Sequence, residues 1–390
     1  MKKIPCIILA TLVAIFLLST FVGCNSTSSK TSKEDESEIL YPISEEKNGK
    51  LLYGYINKEG KKVVDCKYDD VFKSVNGMSI IVLNNKFSFI NINGKLITPN
   101  IEFQSVYNFR EGLAAVRNNN KYGFIDKTGK VIFDYQFDDV FEGFHEDLAP
   151  VCKNNKWAYM DKQGKFKCDF TFDFAERFSD GIAPVYKNKK WAFINKEMKP
   201  ITAFEFDQAC ESSEGLASFC KNNKWGFVNS KGKLIIEPKF DKVNAFKEGF
   251  AFAKLNKKTG FINKSGNFVC SFKMDENAVP PHFKDELAAI KVNNKIGYMD
   301  KKGEFIIKPQ YKIGYNFIND MAIASPYKKT EGLIDKQGNY VLKPEYLYID
   351  YTGKDLIYCV KKENSKMHSM YLNKKQKIVW EKFYSKNTNK

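Results

Sequence analysis

Residues 111–140 read EGLAAVRNNNKYGFIDKTGKVIFDYQFDDV, and this stretch decides the fold. Glu111-Gly112-Leu113-Ala114-Ala115-Val116 opens a strand, and Asn118-Asn119-Asn120 predicts a tight hairpin, because asparagine tolerates the positive φ that such turns demand. The second strand runs over 121–126. It ends in the corner Asp126-Lys127-Thr128-Gly129, where the aspartate can bond its own backbone and the glycine can take the left-handed position. A third strand over 130–133 leads into Phe137-Asp138-Asp139-Val140. The unit is thus a three-stranded meander plus a connecting segment.

Working outward, the same unit recurs along the chain. Its most visible part is a small residue between bulky ones: Tyr53-Gly54-Tyr55, Phe87-Ser88-Phe89, Tyr122-Gly123-Phe124, Trp157-Ala158-Tyr159, Trp191-Ala192-Phe193, Trp225-Gly226-Phe227, Thr259-Gly260-Phe261, Ile296-Gly297-Tyr298, Glu331-Gly332-Leu333 and a degraded Ser369-Met370-Tyr371. Strand alternation sends Tyr122 and Phe124 to one face and Gly123 and Ile125 to the other. A position held small in almost every copy predicts close approach by the neighbouring repeat's aromatic residues. A lone meander cannot bury both faces, so stability must come from contacts between successive units.

These residues resemble the bacterial WG repeat family, whose unit reads Lys-Trp-Gly-Phe-Ile-Asp with a following Gly and an upstream Glu-Gly-Leu-Ala. The resemblance implies an all-β tandem array of about ten antiparallel meander repeats of about 35 residues, either propeller-like or an open superhelical solenoid. It implies no particular activity. The repeats occupy 48–380, followed by a polar C-terminal tail over 381–390. One ring, two rings and an open coil all remain possible, and the lengthened spacing near Asp275 to His282, with Pro280-Pro281, marks the best place for a break in register.

The N-terminus sets the compartment. Lys2 and Lys3 precede the apolar run 7–18, and Phe21-Val22-Gly23-Cys24 follows it, which has the three zones of a secretory signal. The segment resembles a bacterial lipoprotein signal peptide over 1–23, which implies lipid attachment at Cys24 and an extracytoplasmic protein anchored to the cell membrane. Residues 24–40 then form a lipid-anchored flexible tether, rich in Ser, Thr, Lys and Glu and without apolar periodicity. The formal charge is +16, or +14 once Lys2 and Lys3 are removed. Such a balance allows an anionic partner, but the lysines recur in turn positions instead of forming one block.

Little in the sequence points to catalysis. His145, His282 and His368 share no repeat position, which argues against a histidine triad or metal centre. The pairs Asp69-Asp70 and Asp138-Asp139 could serve glycoside cleavage, but they recur where a turn is expected. Of the mature cysteines Cys66, Cys152, Cys168, Cys210, Cys220, Cys270 and Cys359, none shows the short spacing of a zinc site. Cys152, Cys220 and Cys359 read as one repeat position, and Cys66, Cys168 and Cys270 as another, as small buried strand residues would. Trp157, Trp191 and Trp225 sit in register and read as core. The expectation is a membrane-anchored surface lipoprotein acting as a non-enzymatic binding or scaffold module for a protein or cell-envelope ligand. No cofactor, no metal and no specific nucleic acid are expected, and no ligand-binding residue is identified. Binding of an anionic cell-wall polymer is the alternative, and a wall-active glycoside hydrolase a more remote one.

Overall fold

The computed structural model describes residues 39–98 and 103–384, so the signal peptide, Cys24 and nearly all of the tether fall outside the described residues. Among the described residues every regular element is a strand, and the strands form ten antiparallel sheets, one per repeat. We number these sheets as blades 1 to 10 in chain order.

Blade 3 shows the pattern: Ser105–Val106, Leu113–Asn118, Lys121–Asp126 and Val131–Phe137 pair in that order. The segment read as a connector is therefore a strand, and it is the first strand of the following blade: Asp139–Val140 pairs with Leu148–Lys153. The local chemistry follows the sequence reading. Asn119 and Asn120 take φ of 46° and 63° at the hairpin. The Asp126 carboxylate accepts the N–H groups of Thr128 at 2.8 Å and Lys130 at 3.1 Å at the corner.

The core lies between blades. Phe124 and Phe137 of blade 3 pack with Phe144, Val151 and Met160 of blade 4, all five at most 1% exposed. The small position, however, has a cause other than the expected neighbour. A Cβ on Gly123 would sit 2.6 Å from the carbonyl oxygen of Phe133, which belongs to the fourth strand of the same blade. Gly226 meets the Ile236 carbonyl at 2.5 Å in the same way. The blades that carry Ser88, Ala158 and Ala192 instead have no regular fourth strand, only isolated bridges such as Trp157 with Phe172 and Met160 with Phe166. Glycine is thus what lets the fourth strand lie close. In blade 10 the register across Met370 is continuous, and that position no longer needs to be small.

The array closes into one ring. The turn glycines Gly129 and Gly232 lie against the carbonyls of Ile97 and Ile201, each on the preceding blade, and Gly60 of blade 1 lies in the same way against the carbonyl of Val379 in blade 10. Tyr41, Ile43, Ile56 and Cys66 of blade 1 share one core cluster with Leu356 and Tyr371 of blade 10. The ten blades thus form a β-propeller whose short first strands line a central lumen. The insertion near Pro280-Pro281 does not break the ring. Asp275 keeps its place, with its N–H on the Lys291 carbonyl, and the extra residues form a loop ahead of the short first strand of blade 8, Phe283–Lys284, with the Pro280 carbonyl accepting Asn244 Nδ2 at 3.2 Å. The strands also extend past 48–380, from Tyr41–Lys47 to Ile378–Tyr384, because Phe383 stacks on His368 and the Lys382 amine donates to the Ser44 carbonyl.

Candidate ligand site at the seam of the ring

Of the acids that sequence reading held as possible catalytic pairs, the first of each, Asp69 and Asp138, holds blades together, and the second, Asp70 and Asp139, bonds the N–H of the following residue. Asp138 pairs with Lys121 of blade 3 and accepts the Asn154 N–H of blade 4 at 2.6 Å. Asp139 bonds the Val140 N–H at 2.8 Å. Asp69 does the same work between Lys50 and the Asn84 N–H, and Asp173, Asp207 and Asp241 repeat it. The lysines and the backbone N–H groups hold the carboxyls of Asp69, Asp138, Asp173, Asp207 and Asp241 below their usual range, whereas burial raises that of Asp139.

A second clamp, not foreseen from the sequence, uses the acid at the first turn position, followed by glycine in four of the five copies below and by Asp147 after Glu146. Glu111, Glu146, Asp180, Glu214 and Glu248 all adopt positive φ. Each carboxylate accepts a backbone N–H from the equivalent turn of the next blade, as Glu214 does from Gly249 at 2.9 Å. Lysines of the Asp-Lys-x-Gly corners add to it, Lys301 with Glu248 at 2.9 Å being one.

The lumen carries a charged ladder on successive blades. Arg177 makes a two-pronged contact with Glu211, Nε to Oε1 and Nη2 to Oε2 both at 2.7 Å, and pairs on its other side with Glu142. Arg110 and His145 flank this group, and burial together with the two arginines pushes the His145 imidazole down to about 3. Burial and the neighbouring Glu211 push the Glu176 carboxyl well up. His282 instead bonds Asn316 Nδ2 at 3.1 Å, and His368 lies between Glu363 and Glu381 on the far strands of blade 10. The three histidines are not brought together, and among the described residues no group of three or more His, Cys, Asp or Glu converges as a metal would require.

Trp157, Trp191 and Trp225 are core residues, at most 9% exposed. Cys66, Cys152, Cys168, Cys220, Cys270 and Cys359 are free thiols, and burial raises Cys152 to about 11 and Cys359 to about 12. Cys152 and Cys220 face Trp157 and Trp225, whereas Cys359 faces Met370 and so stands one residue earlier in the register than the sequence alignment placed it.

One blade departs from the pattern. Among the described residues blade 1 has three strands, Tyr41–Lys47, Lys50–Ile56 and Lys62–Tyr68, and no short inner strand. In blade 3 the carbonyls of Ala115 and Arg117 accept the N–H groups of Tyr107 and Gln104 from that strand. Their equivalents in blade 1 are Pro42 and Ser44. The Pro42 carbonyl takes the Tyr371 hydroxyl at 2.7 Å and the Ser44 carbonyl takes the Lys382 amine at 3.0 Å, both from blade 10. Elsewhere the hydroxyl equivalent to that of Tyr371 bonds the inner strand of the next blade, as Tyr159 does with the Glu176 carbonyl at 2.6 Å. Blade 10 has therefore re-aimed its side chains to cap the exposed edge.

A cavity of about 590 Å³ opens where the strand is missing. Its blade 10 wall is a run of rings, Tyr348 to Tyr358 at 6.3 Å, Tyr358 to Tyr371 at 5.0 Å and Tyr371 to Trp380 at 6.0 Å between centroids. Tyr53, Phe72 and Tyr107 face it from blades 1 to 3. Lys73 of blade 2 and Asp350 of blade 10 pair across the gap and border it on the lumen side. Burial pushes Tyr348 up to about 12 and raises Tyr358 as well, so both hydroxyls remain donors at neutral pH. Asp70 also lines the cavity, and its carboxyl is raised by burial with only the Val71 N–H opposing.

Of these residues, sequence reading singles out Asp70, as half of a possible catalytic pair, and Tyr53 and Tyr371, within the repeat motif, but marks none of them as a ligand site. A partial signal existed: Tyr358 faces the aromatic that follows the small position, where blades 3 to 6 have Ala115, Pro150, Pro184 and Ser218. Blade 7 also has a ring there, Phe252 facing Phe261, so the residue type alone is not distinctive; Tyr358 differs in lining the gap.

Fold and site together define a ten-bladed β-propeller made of one repeated sequence unit and closed on itself, in which, among the described residues, blade 1 has no short first strand. The sequence pattern of the WG containing repeat matches nine consecutive segments, from 53–87 through 332–365, and the chain belongs to this family. No curated protein is significantly similar in sequence along the chain. Among solved structures, BamB from Moraxella catarrhalis is 9% identical over 70% of this chain and 97% of its own, with a TM-score of 0.38. Apo AztD from Citrobacter koseri is 11% identical over 69% of this chain and 94% of its own, with a TM-score of 0.36. PorZ, a bacterial surface component of the type-IX secretion system of Porphyromonas gingivalis, is 7% identical over 76% of this chain and 42% of its own, with a TM-score of 0.28. At these levels the likeness carries no functional argument.

Proposed function

We propose that this protein is an exported lipoprotein, held to the outer face of the cell membrane through Cys24, and that its propeller is a non-enzymatic module binding a cell-envelope ligand at the seam between blades 10 and 1. The observation that carries this reading is the aromatic-walled cavity at the missing inner strand of blade 1. Concave, mostly apolar sites with a few placed polar groups are where ligands bind. Asp138 and Asp139 are tied to Lys121 and to backbone N–H groups, and Asp69 to Lys50 and the Asn84 N–H, which supports a non-catalytic role for them. Lys50, Lys121, Lys156, Lys190 and Lys224 each meet an aspartate, which makes these five less available to an anionic polymer.

The test is capture of bacterial envelope material by the full-length protein on isolated membranes, compared with Tyr358→Ala and Cys24→Ser. The reading expects capture that falls sharply with Tyr358→Ala, and release of the protein from membranes with Cys24→Ser. Undiminished capture by Tyr358→Ala would move the site elsewhere, and continued membrane attachment of Cys24→Ser would remove the lipid anchor.

A further inference from the structure

Resting on that reading of the seam, we infer that the cavity takes a short, uncharged oligosaccharide, with sugar rings laid against the Tyr348–Tyr358 wall and hydroxyl groups bonded to the Lys73–Asp350 pair. Three other occupants fit less well. The chain's own upstream segment, residues 25–38, contains no apolar side chain and would bring only polar and charged groups to an aromatic wall. An added peptide strand needs free backbone groups, but the Pro42 and Ser44 carbonyls are already occupied and Pro42 has no N–H. A strongly anionic ligand would meet Asp70 and Asp350 with Lys73 already paired.

What remains suits a polyol. A hydroxyl group both donates and accepts, and the cavity offers both: tyrosine hydroxyls and the Lys73 ammonium donate, while Asp350 and Asp70 accept. The pyranose ring also has apolar C–H faces, which aromatic rings can cover without a charge on the ligand. About 590 Å³ lies within the range of small-molecule sites and has room for more than one sugar ring. The aromatic wall and Asp70 would also suit a quaternary ammonium group, and the test separates the two.

Trp380 is the tryptophan in the cavity wall, while Trp157, Trp191 and Trp225 are core residues. Intrinsic fluorescence of the full-length protein is titrated with tri-N-acetylchitotriose, cellotriose and choline chloride, and heats are measured by calorimetry. The inference expects a saturable response to at least one trisaccharide that is insensitive to added salt. Trp380→Phe should remove the fluorescence response, and Tyr358→Ala should weaken the calorimetric affinity by at least about tenfold. Tyr358→Phe keeps the ring and should retain most of the affinity. A response to choline alone would overturn the sugar assignment in favour of a cation. Silence toward both trisaccharides, in protein whose envelope capture still depends on Tyr358, would overturn the ligand class while leaving the site standing. Loss of both would overturn the seam site itself.

Discussion

The Lys73 ammonium of blade 2 and the Asp350 carboxylate of blade 10 pair across blade 1, joining two inner strands that would otherwise be separated by a third. The lysine is about half exposed, so the pair defines the mouth of the cavity more than it holds the ring shut. Lys73→Ala should lower stability by no more than about 1 kcal/mol in urea unfolding. A larger loss would mean that ring closure depends on this pair and not on the blade 1 and blade 10 core.

Gly123 and Ala158 occupy the same repeat position with opposite requirements. Gly123→Ala drives a methyl into the Phe133 carbonyl and should cost about 1–3 kcal/mol. Ala158→Gly deletes a fully buried methyl and adds chain entropy to the unfolded state, and should cost about 1–2 kcal/mol. Hydrogen exchange separates the two: Gly123→Ala should speed exchange across Val131–Phe137, and unchanged exchange there would contradict the account of the fourth strand.

Glu214 is one link of the clamp that joins each turn to the next. Its replacement by alanine leaves the Gly249 N–H without its acceptor and should cost about 1–3 kcal/mol. Because Glu214 already holds a positive φ, Glu214→Gly should be less harmful than Glu214→Ala. Equal losses would show that the carboxylate alone matters, and the reverse order would contradict the positive-φ argument.

His145 gives a pH dependence with a definite sign. Burial and the flanking Arg110 and Arg177 hold it neutral down to about 3, with Glu142 the facing acid, while the unfolded chain takes up a proton near pH 6.5. A depressed folded value means that the contribution is full above the unfolded value and is lost as pH falls toward the folded one. Stability should therefore decline from about pH 6.5 downward. His145→Gln should flatten that part of the profile, and an unchanged slope would contradict the assignment.

Much of the fold was legible because one pattern was written many times. The Asn119-Asn120 hairpin, the Asp126 corner and the all-β class follow from turn chemistry and alternation that need no distant partner. Closure was not legible, since it depends on Tyr371 and Lys382 reaching Pro42 and Ser44 at the other end of the chain. The close approach at Gly123 was legible, but its partner was not, because the bulge that brings the Phe133 carbonyl over the glycine leaves no mark in the pattern. The candidate site was missed for a related reason. It lies where blade 1, among the described residues, has no short first strand, and Tyr358 by itself did not mark it, since Phe252 holds the equivalent position in blade 7.

Backbone hydrogen exchange of the full-length protein, with and without bacterial envelope extract, tests the central claim most directly. The account predicts slowed exchange confined to the seam, in Tyr41–Lys47, Asp70–Val71 and Tyr348–Asp350. Slowing on the Asn-Asn hairpins or in the lumen strands of blades 4 to 6, with the seam unchanged, would contradict it.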